Sequence, residues 1–173
     1  MMERVPAKTL ADIEIAEGVY SPDFAIVDRY QAFSAELARL SLVGVAGYGF
    51  LISQLASKQP DTFGTVLRSQ TSVLMFGVTF LGLALALALR HRFASTECLY
   101  DQVTILRSLQ RLASDRWTDD EKTAERLFLE RVRHKQHQAA KLCHYGLMAG
   151  GLALTIGFVA VVVAFYRVLS AVA

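Results

Sequence analysis

The chain has 173 residues, of which 53% are hydrophobic and 20% charged, and its formal net charge is only +2. So small a charge, with no basic stripe interleaved with aromatics, excludes nucleic acid as a partner. Two cysteines, Cys98 and Cys143, are too few for a disulfide framework. The positive mean hydropathy sits above the soluble range and points to a chain with both a lipid part and a wet part.

Residues 1–37 read as a cytoplasmic N-terminal segment. Acidic residues recur through the first forty positions with no early apolar stretch, so no cleavable signal peptide is expected. A short helix over Thr9 to Glu17 would stop at Gly18. Ser21-Pro22-Asp23 then predicts a helix start, with a hydroxyl cap, proline at the first helical position and an acid in the first turn. Phe24, Val27, Tyr30, Phe33, Leu37 and Leu40 follow at three- and four-residue spacing, an amphipathic stripe that runs without a breaker into the first apolar run. One continuous helix is expected from Pro22 to about Ser57.

Three long apolar runs dominate the rest: Ser41 to Ala56, Thr71 to Leu89, and Cys143 to Val168, the last uncharged as far as Tyr166. Their flanking anchors are Arg39 and Lys58, Arg68 and Arg90, and Tyr145 and Tyr166. Those intervals correspond to helices of about 28, 33 and 31 Å, enough to cross a hydrocarbon layer of roughly 30 Å. The expected architecture is therefore an all-α integral membrane protein with three transmembrane helices. Residues 38–90 form a transmembrane hairpin, with spans at about 39–57 and 70–89. Its outer connection over Ser57 to Gln70 holds Pro60, Asp61 and Gly64, residues that favour turns.

Residues 91–142 predict a cytoplasmic antiparallel helical hairpin. Its first helix carries Leu99, Val103, Leu106, Leu109 and Leu112 and breaks at Ser114-Asp115. Its second opens at Thr118-Asp119-Asp120-Glu121, a capping box with acids at the positive end of the helix dipole. Residues 143–173 are the third transmembrane helix. Arg29, Arg39, Arg90, Arg92, Arg131, Arg133, Lys135 and Lys141 flank the spans on one side, against Lys58, Arg68 and Arg167 on the other. Eight against three places the N-terminus inside and the C-terminus outside. Arginine exceeds lysine and alanine is abundant, which suits a bacterial inner membrane.

The spans carry no charge, which argues against a pump or proton relay. Their mild polar residues suit helix-to-helix hydrogen bonding or a narrow aqueous path; Tyr48, Ser53 and Gln54 are the pore-lining candidates. Gly44, Gly146, Gly150 and Gly157 are candidates for close helix packing, Gly146 and Gly150 forming a GxxxG pair. Trp117, the single tryptophan, falls at the hairpin tip, where it plugs the turn or contacts a partner. Cys98, His134 and His137 make a conceivable zinc set, although a solvated basic face explains the histidines as well. His91 and His144 lie at the membrane interface and not in the apolar layer, so haem is not expected. No phosphate loop, nucleophile elbow or paired-carboxylate pattern appears, so neither an enzyme nor a cofactor is expected.

Two functions fit this pattern. One is a small homo-oligomeric membrane protein, a pore or channel of the membrane-effector kind, with the cytoplasmic helices sensing or gating. The other is a membrane-anchored scaffold or accessory subunit that docks a cytoplasmic protein through the hairpin.

Overall fold

The computed structural model describes residues 17–58, 60–113 and 117–172, and every regular element in them is helical. Three helices account for nearly all of it: α1 over Glu17–Lys58, α2 over Pro60–Leu112 and α3 over Asp119–Val172. All three are long and apolar enough to cross a membrane. The chain is thus a membrane protein built as a helical bundle.

Two helix boundaries differ from expectation. The helix described at the N-terminus already runs from Glu17, so Gly18 does not stop it and Ser21-Pro22 lies inside it. A proline near a helix start removes one intrahelical bond, which a 42-residue helix tolerates. The expected short helix over Thr9 to Glu17 falls almost entirely outside the described residues. The connection expected over 57–70 is helical on both sides of residue 59, because Pro60 opens α2. Proline's missing N–H is harmless at the first helical position, so the same residue that reads as a turn former serves as a helix start. The expected break at Ser114-Asp115 lies outside the described residues; α2 ends at Leu112 and α3 begins at Asp119.

The chain gathers into two compact units, Gln31–Arg92 with His144–Ala173, and Met1–Tyr30 with Phe93–Cys143. In the first, buried positions recur every three and four residues. On α2 they are Leu74, Gly77, Leu81, Ala84, Ala88 and His91; on α3 they are Leu147, Gly150, Leu154, Gly157, Val161, Ala164 and Val168, with Ala153 buried beside Leu154. That 3.5-residue average is the seam of knobs-into-holes packing. On α1 the buried positions are Ser34, Leu37, Ala38, Ser41 and Gly44.

The apolar stripe expected along α1 therefore splits. Leu37 is buried, but Phe33 and Leu40 are exposed, and small serines take the inner face. The Ser34 hydroxyl donates to the Gln31 carbonyl at 2.9 Å and the Ser41 hydroxyl to the Leu37 carbonyl at 2.8 Å. Each polar group is satisfied on its own helix, so a small side chain can occupy the seam without an orphaned donor. The second unit buries Ile105, Leu106 and Leu129, leaves Phe24 and Val27 half-buried, and also buries Ser95, Asp101 and Ser108.

Candidate functional site

The closest helix contact centres on Leu81, which has no exposed surface. A Cβ placed on Gly157 would stand 3.0 Å from the Leu81 backbone nitrogen, and one on Gly44 would stand 3.1 Å from Leu81 Cδ1. Gly77 faces Val161 in the same layer, where a Cβ would come within 2.9 Å of Val161 Cγ2 and 3.3 Å of the Gly157 carbonyl. The backbones of α2 and α3 approach this closely only because side chains are missing there. Gly150 is looser, with Leu87 Cβ at 3.5 Å, and Gly146 faces open space. The tightest packing thus lies around Leu81, Gly77 and Gly157, away from the GxxxG pair. Gly77 and Leu81 would have been legible from their place on the 3.5-residue seam.

The three pore-lining candidates do not share one face. Tyr48 is half-buried, its ring edge-on to Phe165 with centroids 6.4 Å apart. Ser53 and Gln54 are exposed. At 100° per residue, five or six positions carry a side chain well round the helix from Tyr48.

In the second unit the α3 start is a complete capping box. The Glu121 amide donates to Thr118 Oγ1 at 3.4 Å, and the Thr118 amide donates to Glu121 Oε2 at 3.0 Å. The Thr118 hydroxyl also donates to that carboxylate at 2.9 Å. The backbone and hydroxyl donors of Thr118 hold the Glu121 carboxyl below the usual range.

Trp117 lies under the Arg111 guanidinium, 3.6 Å from the ring centroid, and Arg111 also donates to Glu125 Oε2 at 3.3 Å. The tryptophan is only half-exposed, and it closes the end of the unit through a stacked cation. Close by in sequence, Arg107 Nε, Gln110 Oε1 and Glu125 Oε1 are buried without hydrogen-bond partners. Further along, Asp101 is buried and pairs with Lys135 at 3.3 Å.

Cys98 and Cys143 are reduced, half-buried and near each other. Burial first, and then Cys143 beside it, pushes the Cys98 thiol up to about 11. His134 and His137 are exposed, and His134 Nε2 meets Gln138 Nε2 at 2.9 Å. Among the described residues no three His, Cys, Asp or Glu side chains converge as a metal site.

A groove of about 380 Å³ opens on α2 and is lined by Phe93, Thr96, Glu97, Tyr100, Asp101 and Lys135. Phe93 and Tyr100 are 71% and 72% exposed. Sequence reasoning passed over this groove. Its signal is two aromatics seven residues apart with an acid between them, which puts all three on one helix face. No protein-family model matches the chain, and no curated protein or solved structure is similar enough to count as a match.

Proposed function

We propose that this is a homo-oligomeric integral membrane protein of the pore or channel class, with a cytoplasmic helical part that senses or gates. The observation that carries this reading is the filled seam. Leu81, Ala84 and Ala164 have no exposed surface, so no path runs between the helices of one chain. A lumen would have to form between copies, with each backbone satisfied in its own helix. Ser53 and Gln54, exposed on α1, are mild polar residues available to line it, while Tyr48 packs edge-on against Phe165.

In this reading the N-terminus and residues 91–142 lie inside, the C-terminus lies outside, and α2 and α3 run antiparallel. The pairs Gly77 with Val161, Leu81 with Gly157, Asp101 with Lys135 and Arg111 with Glu125 support that direction, since each step along α2 moves the partner backward along α3. The test is the mass of the full-length protein in mild detergent, followed by ion flux into liposomes. An oligomer that passes small ions, with conductance lowered by Gln54→Leu, is expected. A monomer in ion-tight liposomes would overturn the pore reading.

A second reading is a membrane-anchored scaffold that docks a cytoplasmic protein where Trp117 stays partly exposed. A co-purifying soluble protein, lost on Trp117→Ala, would select this reading over the first.

A further inference from the structure

The α2 groove presents two largely exposed aromatic rings around a carboxylate, the environment that holds an organic cation. Asp101 on its floor already has Lys135, whereas Glu97 stands exposed between Phe93 and Tyr100. On α3 of the same unit, Arg133, His137 and Lys141 are exposed at four-residue intervals and so form one straight basic row. The two surfaces are complementary in charge, and one offers rings where the other offers cations.

They also match in height. The Asp101–Lys135 contact levels the two helices. From it, Tyr100, Glu97 and Phe93 rise along α2 by about 1.5, 6 and 12 Å at 1.5 Å per residue. On the antiparallel α3, Arg133 lies about 3 Å below that level, with His137 and Lys141 about 3 and 9 Å above it. Glu97 therefore sits at a height between His137 and Lys141. Copies related by rotation about a membrane normal keep every residue at its own depth, so surfaces at one height can meet around a ring.

We propose that the Phe93–Glu97–Tyr100 groove of one copy receives the Arg133–His137–Lys141 row of the next. The contact is heterologous, each copy using one surface as donor and the other as acceptor, and repeating it about the axis closes a ring. It rests on the homo-oligomer reading above and supplies the cytoplasmic interface of that assembly.

The test uses the full-length chain in nanodiscs and reads assembly mass against concentration. Glu97→Arg should raise the concentration needed for assembly at least tenfold, and combining it with Lys141→Glu should restore the wild-type value. In chains carrying Cys98→Ser and Cys143→Ser, mixed Tyr100→Cys and His137→Cys copies should cross-link, and neither alone should. An assembled wild type with Glu97→Arg unchanged and no mixed cross-link would overturn this inference and leave the oligomer standing. A monomeric wild type would remove both. Assembly that ignores Glu97→Arg but fails on Lys141→Glu only in anionic nanodiscs would give the basic row to lipid headgroups and overturn the proposal.

Discussion

Around Leu81 the helices meet through Gly44, Gly77 and Gly157, while around Asp101 and Arg111 they meet through a carboxylate on an ammonium and a guanidinium on a carboxylate. The contact around Leu81 is apolar and gains closeness by removing side chains. The second unit buries Asp101 and Ser108 and closes its end with a stacked arginine. In the proposed arrangement, with the first unit in lipid and the second in water, the difference follows from solvent. Lipid tails are as apolar as leucine, so burying a large side chain in a membrane gains little and close backbone packing must supply the attraction. In water an apolar stripe is buried with gain, and charges fix the register at its margins.

The largest effect should come from filling the glycine contacts. Gly157→Leu drives a side chain into the Leu81 backbone, and a loss of about 3 kcal/mol or more is expected. It should appear as aggregation or a large drop in Tm in detergent. Gly150→Ala should be tolerated at its 3.5 Å clearance, and Gly146→Leu should leave Tm unchanged. Equal damage at Gly146 and Gly157 would show that close approach around Leu81 is not what holds this unit.

Next comes the ionic closure of the other unit. Arg111 and Glu125 keep only 18% and 13% of their side chains exposed, so Glu125→Ala strands a mostly buried cation. A cost of about 2 kcal/mol is expected, read as faster hydrogen exchange in residues 107–113 and 118–129. Unchanged exchange would mean that the Trp117 stack alone holds Arg111.

Much of the architecture can be read from the residues themselves. Three uncharged runs announce three helices, and Thr118 with Glu121 announces the start of α3. Helix ends are harder, since Pro60 suits a turn and a helix start equally and only the neighbouring chain decides. The inner face is hardest. Hydropathy cannot separate lipid-facing from protein-facing residues when both environments are apolar, so Phe33 and Leu40 stand out on the apolar stripe while Ser34 and Ser41 take the buried face. The α2 groove escaped because Phe93, Glu97 and Tyr100 match no motif and share only a helix face.

A smaller effect should follow at the α3 cap, where Thr118→Ala is expected to cost about 1 kcal/mol of local helix stability. The cap also carries a pH signature. Glu121 is held below its unfolded value, so it adds stability above the ordinary carboxylate range that disappears as pH falls through the lowered value. Protection at Asp119 to Thr123, referred to the intrinsic exchange rate at each pH, should fall in acid in the wild type, and Thr118→Ala, which keeps the backbone donor of residue 118, should lose only the hydroxyl's share of that pH dependence.

The smallest prediction is kinetic. Raising the Cys98 thiol from 9.0 to about 11 lowers its thiolate population by about a hundredfold below pH 9. The greater nucleophilicity of a more basic thiolate recovers roughly tenfold of this. Maleimide labelling of Cys98 near neutral pH should run about tenfold slower than for an ordinary exposed cysteine. Labelling at the ordinary rate would mean that the second unit opens readily where α2 meets α3.

The socket around Leu81 also bears on how the chain enters its membrane. One wall is Gly44 of α1 and the other is Gly157 of α3. Helices leave the ribosome in order, so α1 and α2 can meet while α3 is still being made. Until α3 arrives, the Gly157 side of that socket is filled by lipid. A chain truncated before Gly157 would expose the small-residue faces of α2 to neighbouring proteins, a mark by which membrane quality control could recognise an unfinished copy.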